Sequence, residues 1–338
     1  MPETGAPAQP LLSVRNLSVV FGLRGQRKVR AVDEVSFDIW PGEHVGLVGE
    51  SGSGKSVTSL AVMGLLPRRG VTTSGEVRYD GQDILGSAAA MSRLRGRDIA
   101  MVFQDPMTSL NPVVTVGVQV SEIIKRHFDV SAAEARNRAG DLLKKVGIPD
   151  PVRRLKEYPH QLSGGMRQRV LISMALACEP RLLIADEPTT ALDVTIQAQV
   201  LEVLKELVAD TNAALLMITH DLGVVAGLCN RVNVMYSGRI VESATREVLF
   251  GEPRHPYTGG LLASIPRLDS PRGAPLTPIP GSPTNTLPWT QGCAFAPRCT
   301  SRVDPCTSEA PHLLADGPRE LRCHHPLSTA PTAGLVSP

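Results

Sequence analysis

Up to about residue 252, two patterns of apolar residues alternate along the chain. Short β-branched runs, typical of buried strands, are separated by longer segments in which apolar residues recur every three to four positions, as in amphipathic helices. This alternation predicts an α/β fold with a mostly parallel sheet. The predicted strands are Leu12–Phe21, Val35–Ile39, His44–Val48, Ile99–Phe103, Leu182–Asp186, Ala214–Thr219 and Val232–Tyr236. The predicted helices are Lys55–Leu66, Val116–Phe128, Ala132–Val146, Gly164–Ala177 and Ile196–Ala209.

Two further segments have the turn residues of antiparallel hairpins. These are the first 40 residues and Gly75–Ile84, and both are expected to flank the parallel core. Proline then marks a boundary, because 16 of the 28 prolines lie between Pro253 and Pro338. Each proline removes a backbone donor, so this density does not suit a packed α/β core. The sequence therefore predicts a body over residues 1–252 and a loop-rich extension over 253–338, ending in a frayed tail.

Composition narrows the class of protein. The chain has 338 residues, which suggests about two domains, and its hydrophobic (42%) and charged (20%) fractions are those of a soluble globular protein. A formal net charge of +2 and an aromatic content of 4% argue against nucleic acid as a partner. No apolar run reaches the ~20 residues of a membrane span, and the first ten residues do not resemble a secretory signal. These features predict a cytosolic location.

One segment has the pattern of a phosphate-binding loop. The predicted strand that ends at Val48 leads into the eight residues of the loop, and Val57 follows within the next helix. In such a loop, glycines let consecutive backbone N–H groups turn toward phosphates, the lysine adds a positive charge and the last hydroxyl binds Mg²⁺. The loop residues are Gly49, Glu50, Ser51, Gly52, Ser53, Gly54, Lys55 and Ser56.

A pair of carboxylates follows another predicted strand. Asp186 ends the strand Leu182–Asp186, and Glu187 comes next. Ligands bind at the carboxyl ends of strands in open α/β sheets, so Asp186 is a candidate ligand of Mg²⁺ and Glu187 a candidate base for water. Farther upstream, Ser163 precedes a predicted helix that begins with Gly164 and Gly165. This start could bind an anion or be an ordinary helix cap.

Together these segments resemble the ATP-binding subunits of ATP-binding cassette (ABC) transporters. The segment LSGGMRQR is similar to the signature motif of that family, and its serine, Ser163, lies 107 positions after Ser56. Gln104 resembles the residue of the Q-loop, and His220 the switch histidine. Taken singly, the two could also be a surface glutamine and a helix-terminal histidine. The segment Ala191-Leu192-Asp193 resembles the D-loop.

The resemblance implies a cassette with an antiparallel β-subdomain and a helical subdomain, which binds ATP and Mg²⁺. Ser56, Gln104 and Asp186 would hold Mg²⁺. Lys55, Glu187, His220 and also Gln104 would act on the phosphates and on the attacking water. Ser163, Gly164 and Gly165 would contact ATP held by a second ATPase subunit in a head-to-tail dimer. Phe21 would stack on adenine, although packing in the core is an equal alternative.

Other segments resemble the oligopeptide, dipeptide and nickel importers within that family. They are the extended Q-loop FQDPMTSLNP, the segment HPYT at 255–258 and the tail GCAFAPRC. The resemblance implies two membrane permease subunits, an extracytoplasmic peptide-binding protein, a paralogous ATPase partner and a position at the cytoplasmic face of the membrane. Nickel or another small solute stays a possible cargo. A soluble ATPase acting on nucleic acid is the alternative class, but such proteins usually carry long coiled-coil insertions or two cassettes.

Six cysteines fall into two groups. Cys178 and Cys229 lie singly in apolar stretches, as inert core residues do. The other four lie in the extension, separated by 5, 6 and 16 residues, a wider spacing than that of zinc knuckles. Members of the resembled importers carry a [4Fe–4S] cluster here, so a cluster is expected, with Zn²⁺, or unligated or disulfide-bonded cysteines, as alternatives. These four are Cys293, Cys299, Cys306 and Cys323.

Overall fold

The computed structural model describes residues 9–22, 28–190, 192–265, 278–282 and 291–328. Contacts divide the chain into two compact units. Unit 1 comprises residues 1–38, 44–86 and 218–338, and unit 2 comprises residues 39–43 and 87–217. The chain passes from unit 2 into unit 1 within a single strand, β8 (Ala214–Thr219). No described helix is long and apolar enough to cross a membrane.

The antiparallel sheet of unit 1 confirms the predicted hairpin at Gly75–Ile84. Its strand order is β2-β1-β4-β5. Tyr79 pairs with Gln82 across a turn in which Asp80 and Gly81 both have positive φ (49° and 77°), as a tight hairpin requires. The predicted strand Val35–Ile39 is the second half of a longer one. The strands are β1 (Leu12–Phe21), β2 (Val29–Ile39), β4 (Val71–Tyr79) and β5 (Gln82–Asp83).

A second group of strands in unit 1 follows the order β11-β12-β10-β9-β3. β3 and β9 are parallel, whereas β10 is antiparallel to both β9 and β12. The predicted parallel core is therefore a mixed sheet here. The strands are β3 (His44–Val48), β9 (Arg231–Tyr236), β10 (Arg239–Thr245), β11 (Leu314–Asp316) and β12 (Arg319–Leu321). The helices of unit 1 are α1 (Lys55–Val62), α9 (Leu222–Leu228), α10 (Arg246–Gly251), α11 (Pro256–Ala263) and α12 (Pro305–Ser308).

Unit 2 combines parallel strands with most of the helices. β6 (Ile99–Val102) and β7 (Leu182–Asp186) pair in parallel, and every residue of β7 is buried. Both strands match their predictions to within a residue. The helices are α2 (Ala88–Leu94), α3 (Pro106–Ser109), α4 (Val116–His127), α5 (Ala132–Lys145), α6 (Pro151–Arg154), α7 (Gly164–Ala175) and α8 (Val194–Thr211).

The helices α4 and α5 pack together because each has one apolar stripe. Val116, Val120 and Ile124 are buried at intervals of four along α4. Ala135, Ala139 and Leu143 repeat that interval along α5. Residues four apart lie on one face of a helix, so the two stripes can cover each other. This pair forms the helical part of unit 2 that the sequence predicts between the phosphate-binding loop and Ser163.

The extension contributes to the core of unit 1 more than its proline content predicts. Arg319–Leu321 form β12 and extend the sheet beyond β10. Tyr257 is fully buried, and Phe295 and Leu321 are about as buried as core residues of the body. A loop-rich chain can therefore be held by the sheet of the body rather than by a core of its own.

Candidate nucleotide-binding site

The predicted phosphate-binding loop lies between β3 and α1 in unit 1. Gly49 (φ 152°) and Gly54 (φ 103°) have backbone conformations that other residues rarely adopt. A Cβ on Gly49 would lie 2.1 Å from the Met235 carbonyl oxygen, and one on Gly54 would lie 2.5 Å from that of Ala31. Both glycines are therefore required by the backbone and by its neighbours. No atom of the described residues lies within 4 Å of a Cβ on Gly52, so among them the middle of the loop is open.

Lys55 is buried at the first position of α1. Its Nζ donates hydrogen bonds to the carbonyl oxygens of Gly49 (2.8 Å) and Glu50 (2.9 Å). The ammonium group thereby holds the loop closed and adds a positive charge at the helix N-terminus, where the backbone also favours anions. Ser56 and Val57 follow in the first turn of the helix, half-buried. This arrangement is chemically suited to a polyphosphate.

Glu50, the second residue of the loop, contacts the extension. Its backbone N–H donates to the Tyr257 hydroxyl at 2.8 Å. Its carboxylate accepts two hydrogen bonds from the Arg298 guanidinium, at 2.6 and 3.0 Å. Sequence reasoning placed Glu50 in the loop but did not identify Tyr257 or Arg298 as its neighbours. No local pattern signals such a contact, because the partners lie 207 and 248 positions away along the chain.

Two other predicted site residues lie in unit 1. His220 is exposed and follows β8 directly, and the next residue, Asp221, caps α9 by accepting a hydrogen bond from the Gly223 N–H. This places the imidazole at the carboxyl end of a strand, as the ATPase interpretation expects. Phe21 is half-buried at the end of β1, where it pairs with Val71.

In unit 2 the structure brings Gln104 and Glu187 together. The Gln104 side-chain amide donates to a Glu187 carboxylate oxygen at 3.0 Å, and the Thr190 hydroxyl donates to the same oxygen at 2.7 Å. Asp186 is buried at the end of β7. Glu187 has a φ of 46°, a conformation that is costly for a residue other than glycine and often occurs at functional sites. The carboxylate is thus held in one orientation by two donors.

The predicted signature segment begins α7. The Ser163 hydroxyl caps the helix by accepting a hydrogen bond from the Met166 N–H. A Cβ on Gly165 would lie 2.4 Å from Cγ2 of Ile196, so the close packing of α8 requires glycine there. Ser163 remains exposed at the start of the helix. In the neighbouring D-loop segment, Asp193 caps α8, whereas Ala191 lies outside the described residues.

The structure does not support the four-cysteine metal centre of the extension. Among the described residues, no group of three or more His, Cys, Asp or Glu side chains is placed to hold a metal ion. The donor chemistry is nevertheless suitable, because Cys323 interacts electrostatically with Cys293, Cys299 and Cys306. Burial raises the pKa of the Cys323 thiol to about 12, so without a bound cation it is a neutral thiol. As placed, the four thiols are neighbours and not a set of ligands.

The remaining two cysteines are core residues, as predicted. Cys178 and Cys229 are buried and free. Burial raises the pKa of the Cys178 thiol to about 11 and that of Cys229 to about 12. Both thiols therefore stay protonated near neutral pH, and a protonated thiol is a poor nucleophile.

A phosphate-binding loop between a strand and a helix defines a P-loop nucleotide-binding protein, the class to which ATP-binding cassettes belong. The chain is similar over 70% of its length to a solved dimeric structure of the ATP-binding cassette MJ0796 bound to ADP and Pi, with 28% identity and a TM-score of 0.62. That match covers 98% of the solved chain. The family model described as ABC transporter matches residues 32–190, and the model described as oligopeptide/dipeptide transporter, C-terminal region, matches residues 241–306.

Similar proteins also match the chain over most of its length. It is 53% identical to the dipeptide transport ATP-binding protein DppD of Bacillus subtilis, over 88% of this chain and 89% of the relative. It is 50% identical to DppD of Escherichia coli, over 95% and 98%. Identity to the oligopeptide transport ATP-binding protein OppD of Salmonella typhimurium is 49%, over 95% of both chains. The chain belongs to the ATP-binding subunits of ABC transporters, in the branch that carries the oligopeptide/dipeptide transporter C-terminal region.

Proposed function

We propose that this chain hydrolyses ATP to power the import of dipeptides or oligopeptides through an ABC transporter. The observation that carries the proposal is identity of about half to dipeptide and oligopeptide transport subunits along almost the whole chain, extension included. A cassette acting on nucleic acid would have no reason to carry this extension. Nickel or another small solute is the alternative cargo.

Each motif then has a role in hydrolysis. Lys55 and the backbone of its loop would bind the phosphates, and Ser56, Asp186 and Gln104 would hold the Mg²⁺ that accompanies ATP, as the family resemblance implies. Glu187, oriented by its two donors, takes a proton from the attacking water or positions that water. His220 contacts the γ-phosphate. Phe21 is the candidate for stacking on adenine.

The assembly that we propose has several subunits. Two paralogous ATPase subunits, as the resemblance to these importers implies, would associate head to tail, so that Ser163 and its two glycines contact the nucleotide of the partner. Two permease subunits would carry the peptide, and an extracytoplasmic binding protein would deliver it. The chain would lie at the cytoplasmic face of the membrane, with residues 1–252 as the cassette and 253–338 as the extension.

The substitution Glu187→Gln tests the hydrolytic role. It keeps the shape of the side chain and removes the charge, so ATP binding should persist while turnover falls by about 10²- to 10⁴-fold. Glu202→Gln is the matched control, because Glu202 is an exposed residue of α8, paired only loosely with Lys205 at 3.7 Å. Wild-type turnover by the Glu187→Gln variant would refute the assignment. In vesicles containing the whole transporter, uptake of labelled dipeptide, tripeptide and Ni²⁺ identifies the cargo.

We also propose that Cys293, Cys299, Cys306 and Cys323 bind a [4Fe–4S] cluster in the cell. In support, the four thiols lie within electrostatic range of one another, and the positive charge of bound iron would favour the thiolate form of Cys323, whose pKa is raised by burial. Their side chains would have to converge on it. Protein purified without oxygen should contain iron and acid-labile sulfide, both lost in Cys299→Ser and both kept in Cys178→Ala. A colourless protein with stoichiometric zinc, or with no metal, would contradict the proposal.

A further inference from the structure

Every polar group of Glu50 has a partner within unit 1. Its carbonyl oxygen accepts hydrogen bonds from the Lys55 ammonium (2.9 Å) and from the Ser53 N–H (3.2 Å). Its N–H and its carboxylate are bound by Tyr257 and Arg298 of the extension. One residue of the phosphate-binding loop therefore receives contacts from the body on one side of its peptide and from the extension on the other. The position of the loop depends on both.

Arg298 is held in place by several contacts besides the one with Glu50. Its side chain is only 4% exposed, and its Nε and Nη2 also donate to the carbonyl oxygens of Pro280 (2.8 Å) and Gly281 (3.3 Å). The guanidinium lies over the rings of Tyr236 and Phe295, at 5.8 and 5.9 Å from their centres. A planar group that packs against two neighbouring rings and is hydrogen-bonded along its edge makes a directional two-point contact, which a flexible lysine would not reproduce.

Tyr257 is fixed in a comparable way. Its ring is fully buried and packs edge-on against Tyr236 at 4.6 Å, with Phe295 at 5.4 Å. The N–H of Tyr257 donates to Nδ1 of His255, the residue that caps α11. The hydroxyl that meets the Glu50 N–H is thus carried by a rigid aromatic cluster. An acceptor placed in this way orients the first peptide of the loop.

We propose that Arg298 and Tyr257 are positioning residues through which the extension sets the phosphate-binding loop for ATP. This inference rests on the proposed function, because it takes the loop to bind ATP. Tyr257 orients the Glu50 peptide, and Arg298 neutralises a carboxylate that belongs to an anion-binding loop. Without Arg298, the charge of Glu50 opposes the binding of a polyphosphate, and the loop loses one of its fixed points.

The Glu50–Arg298 pair predicts a specific pattern among variants. Arg298→Gln should raise the Kd for a fluorescent ATP analogue by about tenfold, the scale expected for losing a charge-assisted contact. Added salt should reduce this defect, because salt screens the repulsion between Glu50 and the phosphates. Glu50→Gln removes the repulsion, so the double variant Glu50→Gln/Arg298→Gln should bind the analogue within about threefold of wild type. Tyr257→Phe, which removes one hydroxyl, should have a smaller effect of about threefold.

The experiment uses the full-length chain for binding and the assembled transporter for ATPase kinetics. KM for ATP should rise in Arg298→Gln with a smaller change in kcat, as for a residue that shapes the binding loop. Arg319→Met is the matched control, because Arg319 is also an arginine of the extension in a buried ion pair, with Glu242 of the body (2.9 Å), but does not contact the loop. It should lower stability and leave KM unchanged.

Equal KM values for Arg298→Gln and wild type would overturn the inference, as would a defect that the Glu50→Gln background does not relieve. A KM defect of the same size in Arg319→Met would reduce Arg298 to a structural role and would also overturn it. Failure of the proposed function has a different signature: in that case Glu187→Gln retains turnover, or wild-type protein does not bind the analogue. The two ideas can therefore fail separately.

Discussion

The substitution Arg319→Met measures how strongly the extension is held to the body. Arg319 and Glu242 form a buried ion pair, with side chains 3% and 0% exposed. Methionine keeps most of the apolar stem and removes the charge. The Glu242 carboxylate then retains only the backbone N–H groups of Arg254 (3.0 Å) and His255 (2.9 Å) among the donors described here. A buried carboxylate is left without its counterion.

The size of the effect follows from these contacts. Breaking a buried pair costs about 3–5 kcal/mol, and the two remaining N–H donors favour the lower end, about 3 kcal/mol. Arg319 also donates to the carbonyl oxygen of Glu252, and the loss of that hydrogen bond adds about 1 kcal/mol. The free energy of unfolding should therefore fall by about 4 kcal/mol, which lowers Tm by roughly 6 °C for a chain of 338 residues.

Urea unfolding and thermal unfolding of the full-length chain test this value. Two controls separate the charge from the packing. Arg78→Met removes an exposed partner of Glu76 on β4 and should cost less than about 1 kcal/mol. The double variant Glu242→Gln/Arg319→Met also removes the unpaired buried charge of Glu242 and should recover about half of the lost free energy of unfolding. A single variant as stable as wild type, or a double variant less stable than the single, would refute the reasoning.

Two further predictions concern packing and pH. Gly165→Ala should destabilise the chain by about 1–2 kcal/mol, because the new methyl group would overlap with Ile196. Gly164→Ala, whose methyl group would lie 3.4 Å from Leu192, should be close to neutral. Urea unfolding distinguishes the two variants, and equal effects would contradict the packing argument. The raised pKa of Cys229, about 12 instead of 9.0, favours the fold below pH 9, and this contribution is lost as the pH rises toward 12. By about pH 10.5 the free energy of unfolding of wild type should have fallen by about 2 kcal/mol for this reason. The stability of Cys229→Ala, compared with that of the same variant at neutral pH, should lack this part of the fall. Equal falls in the two proteins would exclude this thiol as the cause.

Features that depend on neighbouring residues could be predicted from the sequence. The bounds of β3, β7 and β8 agree with the prediction, because each is an apolar run ended by a glycine, an acidic residue or a histidine. The loop around Lys55 follows from eight consecutive residues. The strand β10 was missed, since Glu242 lies in its middle and a charged residue argues against burial. Its counterion lies 77 positions later, where no local pattern can indicate it.

The candidate site divides in the same way. Sequence reasoning identified Gln104 and Glu187 separately, from the ends of two strands, and the structure joins them through a hydrogen bond. It did not associate Glu50 with Arg298, although both residues lie inside motifs that it singled out. A salt bridge between residues that are far apart along the chain leaves no periodic pattern and no fixed spacing in the sequence, so only the folded structure shows it. Likewise, four cysteines can be counted from the sequence, but their geometry cannot.

The pairing of β10 with β12 has a consequence for synthesis of the chain. Glu242 is buried, and its counterion Arg319 is made 77 residues later. At about 5–20 residues per second, roughly 4–15 seconds pass between the two. During that interval the edge of β10 that later pairs with β12 has unpaired hydrogen-bonding groups, and the charge of Glu242 lacks its final partner. Unpaired strand edges can associate with other chains. Completion of unit 1 is therefore a late event, timed by the ribosome, and slow translation of the extension should lengthen the period when the nascent chain can aggregate.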